Sequence, residues 1–277
     1  MACPLIAIML LGATLSASWN AVIKGAGDKL YMTILLTGGA GLVGALALPF
    51  LPRPAPASWL FIAASAGCSV GYYALVARTY HLADLSQTYP LMRGTAPLLV
   101  ALTSGLVLGE RLSPAAWLGI GLICSGIGFL AAAAVRQAPR GAALALGNAV
   151  VIASYTLIDG LGVRRSGAPA AYAMWVYVLT ALPLVAWAGA TGRRRFGRYV
   201  AERGLLGLVG GGIATSVYAT TLWAMTVAPV AVVAALRETS ILFAVLISAV
   251  VLKEPVGLLR LAMVCAIAGG AMVLRLA

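Results

Sequence analysis

A membrane-crossing helix needs about 20 consecutive apolar residues. Ten such runs follow one another in this chain, at roughly 5–23, 31–51, 58–77, 85–108, 115–135, 142–163, 169–191, 205–226, 229–252 and 258–274. The connections are short, and the longest, GRRRFGRYVAERG at 192–204, is too small to be a domain. Only 9% of the residues are charged and 62% are hydrophobic, whereas a soluble domain carries about 25% charge. The expected fold is therefore an all-α integral membrane protein of ten transmembrane helices. Ser113-Pro114 reads as an N-cap followed by proline at the first helical position of the fifth span.

The charge balance is 19 Lys+Arg against 7 Asp+Glu, a net +12. The basic residues fall mainly in the connections, where they set topology. They and their few aromatic neighbours stand in short connections and form no extended solvated face, so nucleic acid is not an expected partner. Cys3, Cys68, Cys124 and Cys265 stand singly, without metal-ligand or disulfide spacing. No cofactor is expected. MACPLIAIML lacks the positive start of a signal peptide, so the first run is read as retained.

Shifted by 144 residues, segment 86–112 overlays 230–256 with eight identities in 27 positions. Arg93 falls on Arg237, Thr95 on Thr239, Ser104 on Ser248 and Glu110 on Glu254. A shift of 136 lays Ala-Ser-Trp (17–19) on Ala-Ser-Tyr (153–155). The chain thus divides into two five-helix repeats, 1–137 and 138–277. Five spans per half put the second half into the membrane upside down, the inverted-repeat architecture of secondary transporters. Twelve basic residues lie on the side of the odd-numbered connections and five on the other. By the positive-inside rule the odd-numbered connections are cytoplasmic and both termini outside.

The ten spans in two halves, S-W-N-A-x-x-K (18–24), Y-P-L-x-R-G-x-x-P-L (89–98) and L-x-E closing the fourth and ninth spans together resemble the EamA-type members of the drug/metabolite transporter superfamily. The resemblance covers nearly the whole chain. It implies transport of a small solute without choosing one, since members carry amino acids, metabolites, drugs, nucleotide sugars and sugar phosphates. Many similar members keep their termini in the cytoplasm; the charges of this chain point the other way and are followed.

Arg93 and Arg237 each lie about eight residues, or ~12 Å, inside their spans. Because the halves are inverted, both come to rest near the midplane. An arginine there costs roughly 3 kcal/mol on insertion scales and must face protein or water. Two readings stand: a structural ion pair locking two helices, or a site for an anionic group that fits the guanidinium fork. Phosphate-carrying members resemble this chain in keeping basic residues in the corresponding late helix, which favours an anionic substrate. Glu238 points about 100° away from its neighbour Arg237 and needs another partner, for which Arg93 is the candidate. If Arg93 does not hold it, Glu238 is a candidate for proton coupling. Asp159 is the second candidate, although its place near the end of the sixth span favours contact with headgroups.

Pro90 and Pro97 bracket Arg93 and mark a helix kink or gate. Trp19, Asn20, Tyr72, Tyr73, Tyr89, Tyr155 and Tyr218 are candidates for a cavity wall, with packing or an interfacial belt as the alternative. Trp59, Trp117, Trp187 and Trp223 sit near span ends and belong to the belt. GCSVG (67–71) matches a nucleophile pattern but lies within an apolar run, so Gly67 and Gly71, like Gly207 and Gly211, read as helix-packing faces. No His/Asp/Glu cluster or P-loop suggests an enzyme or ATP as the energy source.

The expected function is secondary transport, in the export direction, of a small polar or amphiphilic organic metabolite with an anionic group. Alternating access would occur in the inner (plasma) membrane, with Arg93, Arg237, Glu238, Tyr89, Trp19, Asn20, Tyr72, Tyr155 and Tyr218 at the substrate. The alternative is a flippase for an anionic lipid-linked intermediate. The partners expected are the solute and membrane lipids, and a monomer suffices.

Overall fold

The computed structural model describes residues 8–16, 28–82, 85–137, 139–240, 242–243 and 258–276. Among them there is no strand. The helices are α1 (8–16), α2 (Lys29–Ala47), α3 (Trp59–Leu82), α4 (Leu85–Leu108), α5 (Pro114–Gln137), α6 (Pro139–Ser166), α7 (Pro169–Val227), α8 (Val230–Arg237) and α9 (Leu258–Leu276). The seventh and eighth expected spans are joined as the two arms of α7, which breaks at Gly192 (φ −150°, ψ 42°). Five helices of the described part, α7 counted once, are long and apolar enough to cross a membrane.

Helix boundaries follow local chemistry. Asp28 caps α2 by accepting from Tyr31 N at 3.0 Å. Ser113 caps α5, its Oγ accepting from Ala116 N at 3.1 Å, with Pro114 as the first helical residue. Just beyond the ends of α4 and α6, Gly109 (φ +68°) and Gly167 (φ +64°) take the left-handed conformation, which glycine adopts without a Cβ penalty.

The connections sort into two groups. Ala55 N donates to Ser166 O, Arg164 pairs with Glu110, and Glu110 accepts from Val230 N; these tie the second, fourth, sixth and eighth connections together. At the other end of α2, Asp28 receives Arg195 at 3.0 Å and its carbonyl receives Tyr199 OH at 3.3 Å, joining the first connection to the seventh. The chain therefore runs up and down between two ends.

The outer surface is apolar: Leu106 is 90% exposed, Phe50 86% and Leu60 77%. Such residues are a liability in water and ordinary against lipid. All four belt tryptophans are exposed. Inside, the bundle closes where glycines let backbones meet. Gly207 and Gly211 of α7 lie directly on Leu35, Gly39 and Ala40 of α2, and Gly119 of α5 faces Gly270 of α9. Among the described residues Gly67 and Gly71 have no packing partner, since nothing there lies within 4 Å of where their side chains would begin. Small residues at i and i+4 permit close approach but do not create a partner.

Candidate functional site

Helix α8 is buried on every face, from Val230 through Leu236, as expected of a helix that is apolar all round. It ends on Arg237. There the backbone tightens to i→i+3 bonds, Glu238 N donating to Ala235 O at 3.0 Å and Thr239 N to Leu236 O at 3.2 Å. The Thr239 hydroxyl adds a bond to Leu236 O at 2.7 Å. A helix may break at this depth only where its freed carbonyls find such donors. A cation on the last helical residue also complements the negative end of the helix dipole. The sequence shows neither glycine nor proline here. By contrast, α4 runs helically through Pro90 and Pro97 without interruption.

Helices α4 and α8 meet, and Arg93 Nε lies 3.3 Å from Glu238 Oε2. Glu238 is 4% exposed. The helical-angle argument thus identified the partner of this carboxylate correctly. Arg93 and Arg237 then line one small hollow together with Met9, Gly12, Ala13 and Ser16 of α1 and Val217, Thr220 and Thr221 of α7. The threonine hydroxyls donate to Ser216 O and Val217 O at 2.8 Å, so towards the hollow they offer acceptor lone pairs. Among the described residues Arg237 makes no hydrogen bond or ion pair.

Asp159 is not near headgroups, as its place in the span suggested. It is 1% exposed, receives Tyr218 OH at 2.5 Å on one oxygen and Tyr172 OH at 3.3 Å on the other, and has Ser65 beside it. Arg237 is within electrostatic reach of Asp159, Tyr155 and Tyr177. Burial explains the arrangement, because a carboxyl in a dry interior needs every donor it can recruit. Tyr218→Phe is expected to cost about 1–3 kcal/mol of stability by removing the shorter of these bonds. Unfolding in detergent would measure it, with Tyr172→Phe expected to cost less.

The aromatic candidates divide. Tyr218 packs edge-on to Tyr177 at 5.3 Å, and Tyr72 edge-on to Tyr73 at 5.1 Å and to Tyr155 at 6.4 Å. None of these lines the hollow that the two arginines share. Trp19 and Asn20 lie outside the described residues. Tyr89 and Pro90 sit near the start of α4, with side chains outside the described part. Sequence reasoning passed over Tyr172, Tyr177, Ser65 and the threonine pair 220–221. The adjacent hydroxyls in an apolar run were the one signal that could have pointed to the wall of the hollow.

Comparison with known proteins agrees with this architecture. A solved crystal structure matches with a TM-score of 0.73 at 22% identity, over 98% of this chain and 98% of the other. No curated protein matches the chain. The model of the EamA-like transporter family matches twice, over residues 4–132 and again over 139–276. With both halves accounted for by that repeat, the chain belongs to the EamA-like transporter family.

Proposed function

We propose that this protein is a secondary transporter that exports a small polar or amphiphilic organic metabolite bearing an anionic group. Ten helices in two inverted halves, 1–137 and 138–277, alternate access to the hollow in the inner membrane, with both termini outside the cytoplasm. The observation that carries the reading is the cationic lining: both arginines face the hollow, while Glu238 and Asp159 are not among its walls. Arg93 already shares its charge with Glu238, which leaves Arg237 as the principal ligand for a carboxylate or phosphate. The threonine and serine hydroxyls of α7 and α1 meet the polar remainder of the solute, and the tyrosines behind them hold the wall. With Glu238 held by Arg93, Asp159 is the acid left for proton coupling.

The test is transport in proteoliposomes with small carboxylate and phosphate solutes. Arg237→Ala is expected to lower the rate about 10- to 100-fold, the loss of one charge-assisted hydrogen bond. Arg237→Lys should retain part of it, because the ammonium keeps the charge without the fork. Undiminished transport by Arg237→Ala overturns the assignment. Movement of a lipid-linked anion in place of a water-soluble one would make the protein a flippase.

A further inference from the structure

Glu110 lies outside the hollow, just past the end of α4, and its side chain is only 8% exposed. Its Oε1 receives Arg164 Nη2 at 2.5 Å and Val230 N at 2.9 Å, and its Oε2 receives Val230 N at 3.1 Å. Arg164, at the end of α6, also donates through Nε to Met225 O at 2.8 Å and through Nη2 to Ala228 O at 3.1 Å. One ion pair therefore joins four helix ends: the exits of α4, α6 and α7 and the entry of α8.

Each contact fills a vacancy that a helix end cannot fill for itself. The first N–H groups and last carbonyls of a helix have no internal partner. Helix α8 begins after Pro229 with no side-chain cap of its own, and Glu110 supplies one from 120 residues away. A carboxylate at a helix N-terminus is also favoured by the dipole. Arg164 does the converse for the carbonyls at the end of α7. The arginine side chain is 32% exposed, so water reaches this end of the bundle. Were the pair to part, water could take over the freed groups, which it cannot do deep in the hydrocarbon. The tie is suited to opening and closing.

What it controls follows from α8. Arg237 lies seven residues, about 10 Å, along the same helix from Val230. Any movement of the α8 entry is delivered to the cation in the hollow, because the helix between them is a rigid rod. We propose that the Glu110–Arg164 pair is the latch that holds this end of the transporter shut, and that its release frees α8 to open the hollow to that side. The inference rests on the transport reading, since a latch has a role only if this end opens. The acidic residue of the repeated L-x-E thereby gains a task that the hollow does not give it.

The experiment reads accessibility and needs no transported solute. Thr220, on the wall of the hollow, is replaced by cysteine, and a membrane-impermeant thiol reagent is applied from the face that carries residues 109–113, with the parent chain as background. Glu110→Ala is expected to raise the labelling rate about tenfold, because loss of a charge-assisted hydrogen bond shifts a two-state opening equilibrium by that order. Glu110→Gln, which keeps the shape and loses the charge, should give a smaller rise and serves if the alanine variant does not insert. In the opposite direction, Glu110→Cys and Arg164→Cys joined by a short reducible cross-linker should abolish labelling from that face, and reduction should restore it. If neither charge removal nor cross-linking changes the rate, the pair is a permanent staple and the latch is wrong. Loss of the transport reading would appear separately, as a parent protein that moves neither small carboxylate or phosphate solutes nor a lipid-linked anion in proteoliposomes.

Discussion

Replacing Arg93 by alanine is expected to destabilise the protein by about 3–5 kcal/mol, the largest effect of any single substitution considered for this chain. The reason lies in what it leaves behind. Glu238 is 4% exposed, and its ion-pair partner, at 3.3 Å, is Arg93 Nε. Removing the guanidinium strands a carboxylate in a medium that cannot solvate it, and this penalty exceeds the net worth of the pair. The second change, Glu238→Gln in the Arg93→Ala background, should recover most of the loss by removing the stranded charge. Arg237→Ala should cost less, since Arg237 has no ion pair among the described residues to lose and acts on Asp159 and the end of α8 only at a distance. Unfolding in detergent, run as a double-mutant cycle over 93 and 238, measures the coupling directly. An Arg93→Ala protein as stable as the parent would show that the pair locks nothing.

The second large effect concerns the seam between α2 and α7. A Cβ built on Gly211 would fall 2.5 Å from Gly39 C and 2.8 Å from Leu36 O, and on the Ala40 backbone nitrogen. These are backbone atoms, so no side chain can swing aside. Gly211→Ala is expected to force the helices apart and cost about 1–3 kcal/mol, the range for overpacking, and Gly211→Leu more. The control is Gly128→Ala. Nothing among the described residues lies within 4 Å of that position, so the substitution should be neutral or stabilise by about 0.5–1 kcal/mol through helix propensity. Thermal unfolding of the three variants in one detergent decides it. Equal losses at 211 and 128 would mean that close approach is not what holds the seam.

The two glycine pairs show where sequence reasoning stops. Gly67/Gly71 and Gly207/Gly211 have the same spacing and the same apolar setting, yet among the described residues the second pair alone meets another helix. Spacing records which side chains share a face; it does not record what stands opposite. Asp159 teaches the same lesson from the other direction. Its place in the sixth span suggested headgroups, and its true surroundings, Tyr172 and Tyr218, come from a helix 13 and 59 residues further on. Arg164 counted only as a topology charge until the fold brought it to Glu110, 54 residues away.

The sequence by itself determined that the chain is helical, that it is built for a membrane, and that it carries a duplicated unit of the EamA-like kind. Those properties are one-dimensional: hydropathy, helix punctuation and internal similarity add up along the chain whatever it touches. It also singled out Arg93 for Glu238, because the angle between neighbours on a helix excludes Arg237. Tertiary structure alone decided that α8 stops at Arg237, that Asp159 is enclosed by tyrosines, and that Glu110 and Arg164 tie four helix ends. A buried polar group needs a partner close by in space, and proximity in a folded bundle is set by packing between segments that the linear order keeps far apart.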